Sequence, residues 1–351
     1  MTRNVSRNLS QKDLAMTIKD IARIAGVSVS TVSRVLNDHP DVSSVAKEKV
    51  LAVVQEYNYI PNTSARELGK TSSDNIGVMG RGMSNQFYTD IITAIGDRIE
   101  KAGYTMVMQQ IGITDDEIMA AARMERDKKL QGIIFLGGKY DYTKEQMKNI
   151  SVPYVCCTFG NQYGSLSESE YSSVGIDDSQ AAYEAVSYIY KEGHRKIAVL
   201  LSGVDDGSVS ELRFAGYEKA LKDFGLRLDK DLIIEINSYN IADAYHAMGR
   251  WLDKNIDATA VFAISDSMAM GAMKAIREKG KKIPQDMAMI SIDGIEASEY
   301  TNPVLSTLCQ PMEKMGQEAA NLLIDIIEGK KTNKHLIVPT TFRMGETLKE
   351  I

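Results

Sequence analysis

The first part of the chain alternates short amphipathic helices with tight turns. Apolar residues recur at the spacing of one helical face in three segments, which begin near residues 18, 29 and 45. Gly26 separates the first two segments, where a turn between crossing helices favours a residue that tolerates positive φ. Ser28 follows it and can cap the second helix. This arrangement predicts a helix-turn-helix, with an ordinary helical hairpin as the alternative.

From residue 75 the pattern changes to short apolar strands that alternate with amphipathic helices. A helix is predicted at 87–101, and its isoleucines share one face. The predicted strands are 75–79, 104–109, 132–136, 154–158, 197–201, 232–236, 260–264 and 289–292. Repeated strand–helix units predict parallel sheets covered by helices. Two series of about six units are too many for one sheet, so we expect two α/β lobes with a ligand cleft between them.

Charge is unevenly distributed along the 351 residues. The formal net charge is −6, yet residues 1–70 hold ten Lys/Arg against seven Asp/Glu, a net +3. The modest basic excess indicates that a few side chains, more than bulk charge, would discriminate between DNA sequences. No apolar stretch resembles a membrane span or a secretion signal, which predicts a cytoplasmic protein with no membrane partner. Cys156, Cys157 and Cys309 have no metal-ligand spacing and are expected to be reduced thiols, the first two in a strand.

Three residues near the start of the second helix are candidates for reading bases. The N-terminal part of a recognition helix lies in the major groove. Arg34 can bind a guanine in a bidentate manner, Val29 can contact a thymine methyl group, and Ser30 accommodates several bases.

The N-terminal motifs resemble one known family. The run TIKDIARIAGVSVSTVSRVLN, the YIPN segment and the ARELGK segment are similar to those of the lactose/galactose repressor family of bacterial transcription regulators, and the similarity continues through the rest of the chain. The resemblance implies a homodimer that binds a near-palindromic double-stranded DNA operator. It also implies a periplasmic-binding-protein-like fold for the two-lobed domain.

The same resemblance assigns further DNA contacts. Val29 and Ser30 occupy the pair that sets operator choice in the family. Phosphate contacts are implied for Thr17, Ser28, Thr31, Ser33, Asn37 and Tyr59, although a surface capping role is an open alternative for each. A hinge helix is implied from residue 62, in which Ala65 permits close approach of two helices and Leu68 wedges into the minor groove. The alternative for Leu68 is that it begins the core of the next domain.

Polar and aromatic residues at the ends of strands are candidates for holding an effector. Asp293 ends a buried strand, and Arg213 lies at the start of a helix in the same lobe. Phe87, Tyr88 and Tyr239 are aromatic platforms of the kind that hold sugars. The resemblance adds Gln310 and Met312 to the cleft. A structural ion pair is the alternative for Asp293 and Arg213, and core packing is the alternative for Phe87 and Tyr88.

The effector itself is predicted to be a small carbohydrate. Thr158 and Ser265 depart from residues that are common in sugar-binding members, so a relative's ligand cannot simply be transferred to this chain. A purine and a phosphoprotein corepressor are the alternatives to a carbohydrate effector. Against the phosphoprotein, Asn302 replaces an arginine that is expected on its docking surface. The helix with Met268, Met270 and Met273 resembles the family's dimer-forming face. The family's tetramer-forming heptad tail does not follow residue 345, so a dimer is expected.

Two other function classes fit the sequence less well. The segment Gly77-Val-Met-Gly80-Arg-Gly82 follows a strand, but its spacing is not that of a dinucleotide-binding fingerprint, and no acidic residue ends the second strand. An NAD-binding enzyme is therefore the weaker alternative, and no cofactor or metal is expected. A solute-binding transport protein would explain the two lobes, but not residues 16–70.

These observations predict an all-α helix-turn-helix headpiece with a hinge helix, followed by a two-lobed α/β domain with parallel sheets. The expected boundaries are a disordered extension at 1–15, a headpiece at 16–61, a hinge and linker at 62–74, and the two-lobed domain at 75–351. Lobe 1 is expected to comprise about 75–176 and 309–339, and lobe 2 about 177–308 and 340–351. The predicted function is that of a repressor of carbohydrate-utilisation genes, controlled by a sugar.

Overall fold

The computed structural model describes residues 16–36, 39–57, 59, 73–83, 85–112, 114–139, 141–159 and 164–349. They form two compact units, which divide at residues 71 and 72. The predictions for residues 1–15, for Asn37, and for Ala65 and Leu68 of the hinge lie outside the described residues.

The N-terminal unit is a bundle of three helices. They are α1 (Ile18–Ala25), α2 (Val29–Leu36) and α3 (Ser44–Glu56). Gly26 ends α1 in the left-handed conformation, with φ of 67°, as the turn requires. The Ser28 hydroxyl accepts a hydrogen bond from the Thr31 backbone N–H at 3.1 Å, so it caps α2. The core contains Ile21, Ala22, Ala25, Val32, Val35, Val50, Val53 and Tyr59.

The C-terminal unit has two lobes, each built around a six-stranded sheet. Lobe 1 has the strand order β11-β5-β4-β3-β1-β2, and all its pairings are parallel. Its strands are β1 (Asn75–Arg81), β2 (Thr105–Ile111), β3 (Gly132–Leu136), β4 (Tyr154–Cys157), β5 (Ser172–Gly175) and β11 (His335–Ile337). Its helices are α4 (Phe87–Lys101), α5 (Glu117–Lys128), α6 (Lys144–Met147) and α11 (Met312–Ile327).

Lobe 2 repeats this plan with the order β12-β10-β9-β8-β6-β7, in which only the β10–β12 pairing is antiparallel. Its strands are β6 (Ile197–Leu201), β7 (Ile233–Glu235), β8 (Ala260–Ala263), β9 (Ala288–Asp293), β10 (Ser306–Cys309) and β12 (Thr341–Arg343). Its helices are α7 (Asp178–Lys191), α8 (Val209–Asp223), α9 (Ile241–Leu252) and α10 (Asp266–Glu278), with 3₁₀ turns at Lys230–Leu232 and Glu296–Tyr300.

The predicted fold class is confirmed, and the chain passes between the two sheets three times. It leaves lobe 1 after β5, returns after β10 and leaves again after β11. The central strands are buried along their whole length, as expected for sheets with helices on both faces. Among the described helices, none is both long and apolar enough to cross a membrane.

Helices α7 and α8 approach each other closely at Gly216. A Cβ at this position would overlap the carbonyl oxygen of Ser179 in α7. Gly249 in α9 offers a matched contrast, because a Cβ there would meet nothing within 4 Å. The chain's one tryptophan, Trp251, is buried in the same lobe and reports on its unfolding.

We therefore expect Gly216→Ala and Gly249→Ala to have opposite effects. Overpacking should lower the free energy of unfolding by about 1–3 kcal/mol in Gly216→Ala. Gly249→Ala should raise it by about 0.5–1 kcal/mol, since alanine restricts the unfolded chain and suits a helix. Urea denaturation followed by tryptophan fluorescence measures both. Equal effects of the two substitutions would contradict the close approach of α7 and α8.

Candidate functional site

Helix α2 presents its predicted base-reading residues to solvent. Val29, Ser30 and Arg34 are exposed, whereas Val32 and Val35 on the opposite side are buried in the headpiece core. The helix thus has a buried face that sets its position and a free face of the size and chemistry that a major groove accepts. Base reading by these three residues stays a prediction.

The residues predicted to hold phosphates have local partners. The Thr17 hydroxyl donates to Asp20 at 2.6 Å and accepts from its backbone N–H, which forms a capping box at the start of α1. Ser28 caps α2, and its hydroxyl also lies 2.8 Å from that of Thr31. Ser33 is half-buried in α2. Tyr59 packs in the headpiece core. Their phosphate contacts stay predictions beside these capping and packing roles.

A cavity of about 290 Å³ lies between the two lobes, at the carboxyl ends of their strands. Six of the seven predicted effector residues line it: Phe87, Tyr88, Arg213, Tyr239, Asp293 and Gln310. Met312 begins α11 and packs against the adjacent hydrophobic core, outside the lining. The aromatic rings of Phe87 and Tyr88 form an edge-to-face pair with centroids 5.2 Å apart. Phe87 is buried and Tyr88 half-buried, which fits the packing alternative, and ligand contact by either residue stays a prediction.

Asp293 lies at the end of β9 in a conformation that other residues enforce. Its φ is 136°, a strained value for a residue other than glycine. Asp266, the first residue of α10, holds the following turn because its carboxylate accepts the backbone N–H groups of Gly294 and Ile295, each at 2.9 Å. The Gln310 amide donates to Asp293 Oδ1 at 2.9 Å. Asp293 Oδ2 is buried and has no hydrogen-bond partner in the described structure.

Arg213 is held against Asp293 by a second carboxylate. Its Nε and Nη2 both lie 2.9 Å from Asp178 Oδ1, its Nη1 donates to the Ile264 carbonyl, and its Nη1 is 3.6 Å from Asp293. Burial raises the pKa of Asp293 to about 7 and that of Asp178 to about 6, although Arg213 opposes both shifts. Arg213 and Asp293 thus form the ion pair that was the alternative interpretation, and both also line the cavity, so effector binding by them stays a prediction.

Asn85 links the lobes across the cleft. Its Oδ1 accepts hydrogen bonds from the Phe87 backbone N–H at 3.1 Å and from the Ser267 hydroxyl of lobe 2 at 2.8 Å. A hydrogen bond from Asn85 also lowers the pKa of Asp293, against the larger effect of burial. One buried side chain therefore joins lobe 1 to lobe 2 beside the candidate effector carboxylate.

Several lining residues were missed at the sequence level. They are Arg81, Gly138, Lys139, Phe159, Ser202, Asp206, Ser208, Val209 and Asn237. Most follow strands in loops where apolar periodicity gives no signal, although Arg81 ends the observed β1 and Ser202 directly follows the predicted strand 197–201. On the helix predicted to form the dimer face, Met268 and Met273 are buried in the core of lobe 2 and Met270 is partly exposed, and dimerisation through this helix stays a prediction.

The buried pair of Asp178 and Arg213 should matter far more for stability than an exposed pair. In Asp178→Ala the guanidinium loses its main partner, which should lower the free energy of unfolding by about 3–5 kcal/mol. Asp257→Ala, which removes the exposed partner of Lys196, is the matched control and should change it little. Urea denaturation reports both values. Similar values for the two variants would contradict the role assigned to Asp178.

Comparisons with known proteins agree with this architecture. Residues 17–62 match the model of bacterial regulatory proteins of the lacI family, and residues 186–348 match a periplasmic binding protein-like domain. The HTH-type transcriptional regulator MalR of Clostridium butyricum is 42% identical over 93% of this chain and 97% of its own length. The HTH-type transcriptional repressor PurR of Vibrio atlanticus is 32% identical over 91% of this chain and 94% of its own.

Solved structures show the same likeness. A complex of the transcriptional regulator CelR with cellobiose has a TM-score of 0.71 at 28% identity, covering 95% of this chain and 99% of that one. A lac repressor dimer bound to operator and the anti-inducer ONPF has a TM-score of 0.77 at 25% identity, covering 96% and 100%. The chain belongs to the lacI family of bacterial regulatory proteins, and it is a DNA-binding transcriptional regulator and not an enzyme.

Proposed function

We propose that this protein is a repressor whose operator affinity is controlled by a neutral sugar bound between the two lobes. The observation that carries the proposal is the buried, unpartnered Oδ2 of Asp293 at the wall of the cavity. A buried acceptor without a donor is costly, and a sugar hydroxyl supplies the donor. Phe87 and Tyr88 offer the aromatic surface on which the apolar face of a sugar ring packs.

The charges around the cavity favour a neutral ligand over a phosphorylated one. Arg81, Lys139 and Arg213 line it together with Asp206 and Asp293. Two further buried carboxyls stand behind the wall, Asp178 against Arg213 and Glu117 near Arg81. The basic groups are thus offset by acidic ones, so the site has no excess positive charge for a phosphate. Hydroxyl groups, which both donate and accept, match such a mixed lining.

The CelR complex with cellobiose and the lac repressor dimer on its operator support the sugar, the DNA and the dimeric assembly by analogy. We propose that two headpieces of a homodimer read a near-palindromic operator, with Val29, Ser30 and Arg34 at the bases. Since the target is chromosomal, we expect the protein to act in the cytoplasm. Sugar binding would change the angle between the lobes, and this change would reach the headpieces through the segment before β1.

A thermal-shift panel tests whether the effector is a sugar. Monosaccharides, disaccharides, sugar phosphates and purines are compared, and a ligand at one hundred times its Kd should stabilise the protein by about 2.7 kcal/mol. We expect neutral sugars to give the shift and Asp293→Ala to lose it, while the exposed control Asp257→Ala keeps it. Shifts with purines alone would support a purine corepressor. A flat panel would contradict the proposed sugar control.

The recognition helix is tested by comparing two arginines of the headpiece. With operators that the wild-type protein selects from random duplexes, Arg34→Ala should lose about 1–3 kcal/mol of discrimination at one base pair. Arg23→Ala is the matched control, since Arg23 is an exposed residue of α1 that pairs with Asp20. Binding titrations on matched and mutated duplexes measure both. Unchanged discrimination between base pairs in Arg34→Ala would show that Arg34 does not read a base.

A further inference from the structure

We propose that Ser73 and Asn75 are positioning residues for operator binding, because they hold the start of the C-terminal unit against the carboxyl end of helix α5. Ser73 is the first described residue after the segment that leads from the headpiece, and Asn75 begins β1. Neither residue lines the cavity between the lobes. The inference therefore does not depend on the proposed sugar, and it needs only the DNA binding of the family.

The carboxyl end of α5 is capped by side chains from outside the helix. The last carbonyl groups of an α-helix have no partner within it. At the end of α5 the Ser73 hydroxyl is shared between the Lys128 carbonyl at 3.1 Å and the Lys129 carbonyl at 2.6 Å. The Asn75 side-chain amide donates to the Lys128 carbonyl at 2.8 Å, and its backbone N–H donates to the Ser73 hydroxyl at 3.3 Å. The chain thus enters lobe 1 through side-chain hydrogen bonds to one helix end.

The start of β1 keeps its place in the sheet without these side chains. The Gln131 backbone N–H donates to the Asn75 carbonyl at 2.8 Å, and the Thr105 backbone N–H donates to the Asp74 carbonyl at 2.7 Å. Backbone hydrogen bonds on two sides therefore hold the strand. The contacts of Ser73 and Asn75 add a connection to α5, which sets where the preceding chain begins more than it stabilises the sheet.

Helix α5 lies directly on β1 between the two ends of the strand. A Cβ on Gly77 in β1 would be 2.7 Å from the Met124 Cε of α5 and 2.5 Å from the Leu130 Cδ1 just beyond it. The strand runs from the linker to the cleft, and the helix runs back from Glu117 to Lys128. Any displacement of the helix along the strand would therefore alter the contacts at both ends.

At the cleft, Tyr142 joins the same two elements. Arg81, the last residue of β1, donates from Nη1 to the Tyr142 hydroxyl at 3.2 Å. That hydroxyl also hydrogen-bonds to Glu117, the first residue of α5. Glu117 in turn accepts the Lys139 backbone N–H at 3.3 Å. Strand β1 and helix α5 are thus joined at both ends, and we call this pair the β1–α5 frame.

The β1–α5 frame gives the linker a fixed starting point. With 12 residues, α5 spans about 18 Å, so its two ends are far apart. If either end of the frame opens, α5 is no longer fixed on β1 and its last carbonyl groups no longer fix Ser73. A headpiece that begins from an unfixed point must lose more conformational freedom when it binds its half-site. Operator affinity should therefore depend on both ends of the frame.

The experiment is a double-mutant cycle on operator affinity, with no effector present. Ser73→Ala opens the linker end of the frame, and Tyr142→Phe removes the hydroxyl at the cleft end. Each should weaken binding to operators that the wild type selects by about fivefold, the size expected for one hydrogen bond. The double variant should lose no more than either single one, because one open end already frees α5. Independent sites would instead multiply their losses to about 25-fold.

Two further variants separate positioning from a general structural effect. Ser73→Thr keeps the hydroxyl and should bind the operator as the wild type does. Asn149→Ala is the matched control, because Asn149 is an exposed residue of lobe 1 whose amide donates to another helix-end carbonyl, that of Gln146, at 2.9 Å. It should leave operator affinity unchanged. Urea denaturation followed by tryptophan fluorescence confirms that each variant folds.

The opposite results overturn the proposal. Wild-type affinity in Ser73→Ala, losses that multiply in the double variant, or an equal loss in Ser73→Thr or Asn149→Ala would each show that the β1–α5 frame does not position the headpiece. Should Tyr142→Phe fail to fold, Glu117→Gln replaces it at the cleft end of the cycle, with the same expected result.

Discussion

The effector cleft depends on one buried guanidinium, that of Arg213. Desolvation of this charge is costly, and the cost is offset because Asp178 accepts two of its nitrogens and the Ile264 carbonyl accepts another. The guanidinium is thereby fixed with Asp293 3.6 Å away. Asp266 completes the arrangement, because its carboxylate accepts the backbone N–H groups of the turn that follows Asp293. A ligand therefore meets donors and acceptors already in place, which is the condition for tight binding of a polar molecule.

The same cleft is where side chains of the two lobes meet. The chain passes between the sheets three times, and lobes joined by such crossings are the usual arrangement in proteins that close around a ligand by a hinge. Asn85 joins the start of α4 to Ser267 of lobe 2, beside the Asp293 carboxylate whose pKa it lowers. A ligand that hydrogen-bonds to the Asp293 carboxylate must alter the contact that Asn85 makes between the lobes. A local hydrogen bond can in this way bias an equilibrium of the whole domain.

Much of the fold was predictable, because helical and strand periodicities are strong where the core is apolar. Strands β3 and β6 and helix α4 were predicted at their observed bounds. Strands β5, β10, β11 and β12 were missed, since they are three or four residues long and partly polar. In β5, Ser172 and Ser173 are buried with side-chain partners in Asn333 and His335, which are distant in sequence. No local pattern reveals such a pairing.

The candidate site was predictable in part for the same reason. Arg213 and Asp293 stand at the ends of recognisable elements, whereas Asp178 and Glu117 begin helices and look like ordinary first-turn acids. Only the three-dimensional structure shows that both are buried. Tyr59 likewise follows an apolar helix and was assigned to DNA; its packing in the headpiece core had no signal in the sequence, and its phosphate contact stays a prediction.

The most direct test of the central claim, that the cleft and the operator are coupled, is to measure both affinities in the same thermodynamic cycle. Sugar affinity is measured with and without operator DNA, and operator affinity with and without the sugar, at one salt concentration. Linkage requires the two ratios to be equal, and we expect a factor of about 5–150 by which each ligand weakens the other. Sugar binding that leaves operator affinity unchanged would contradict the account.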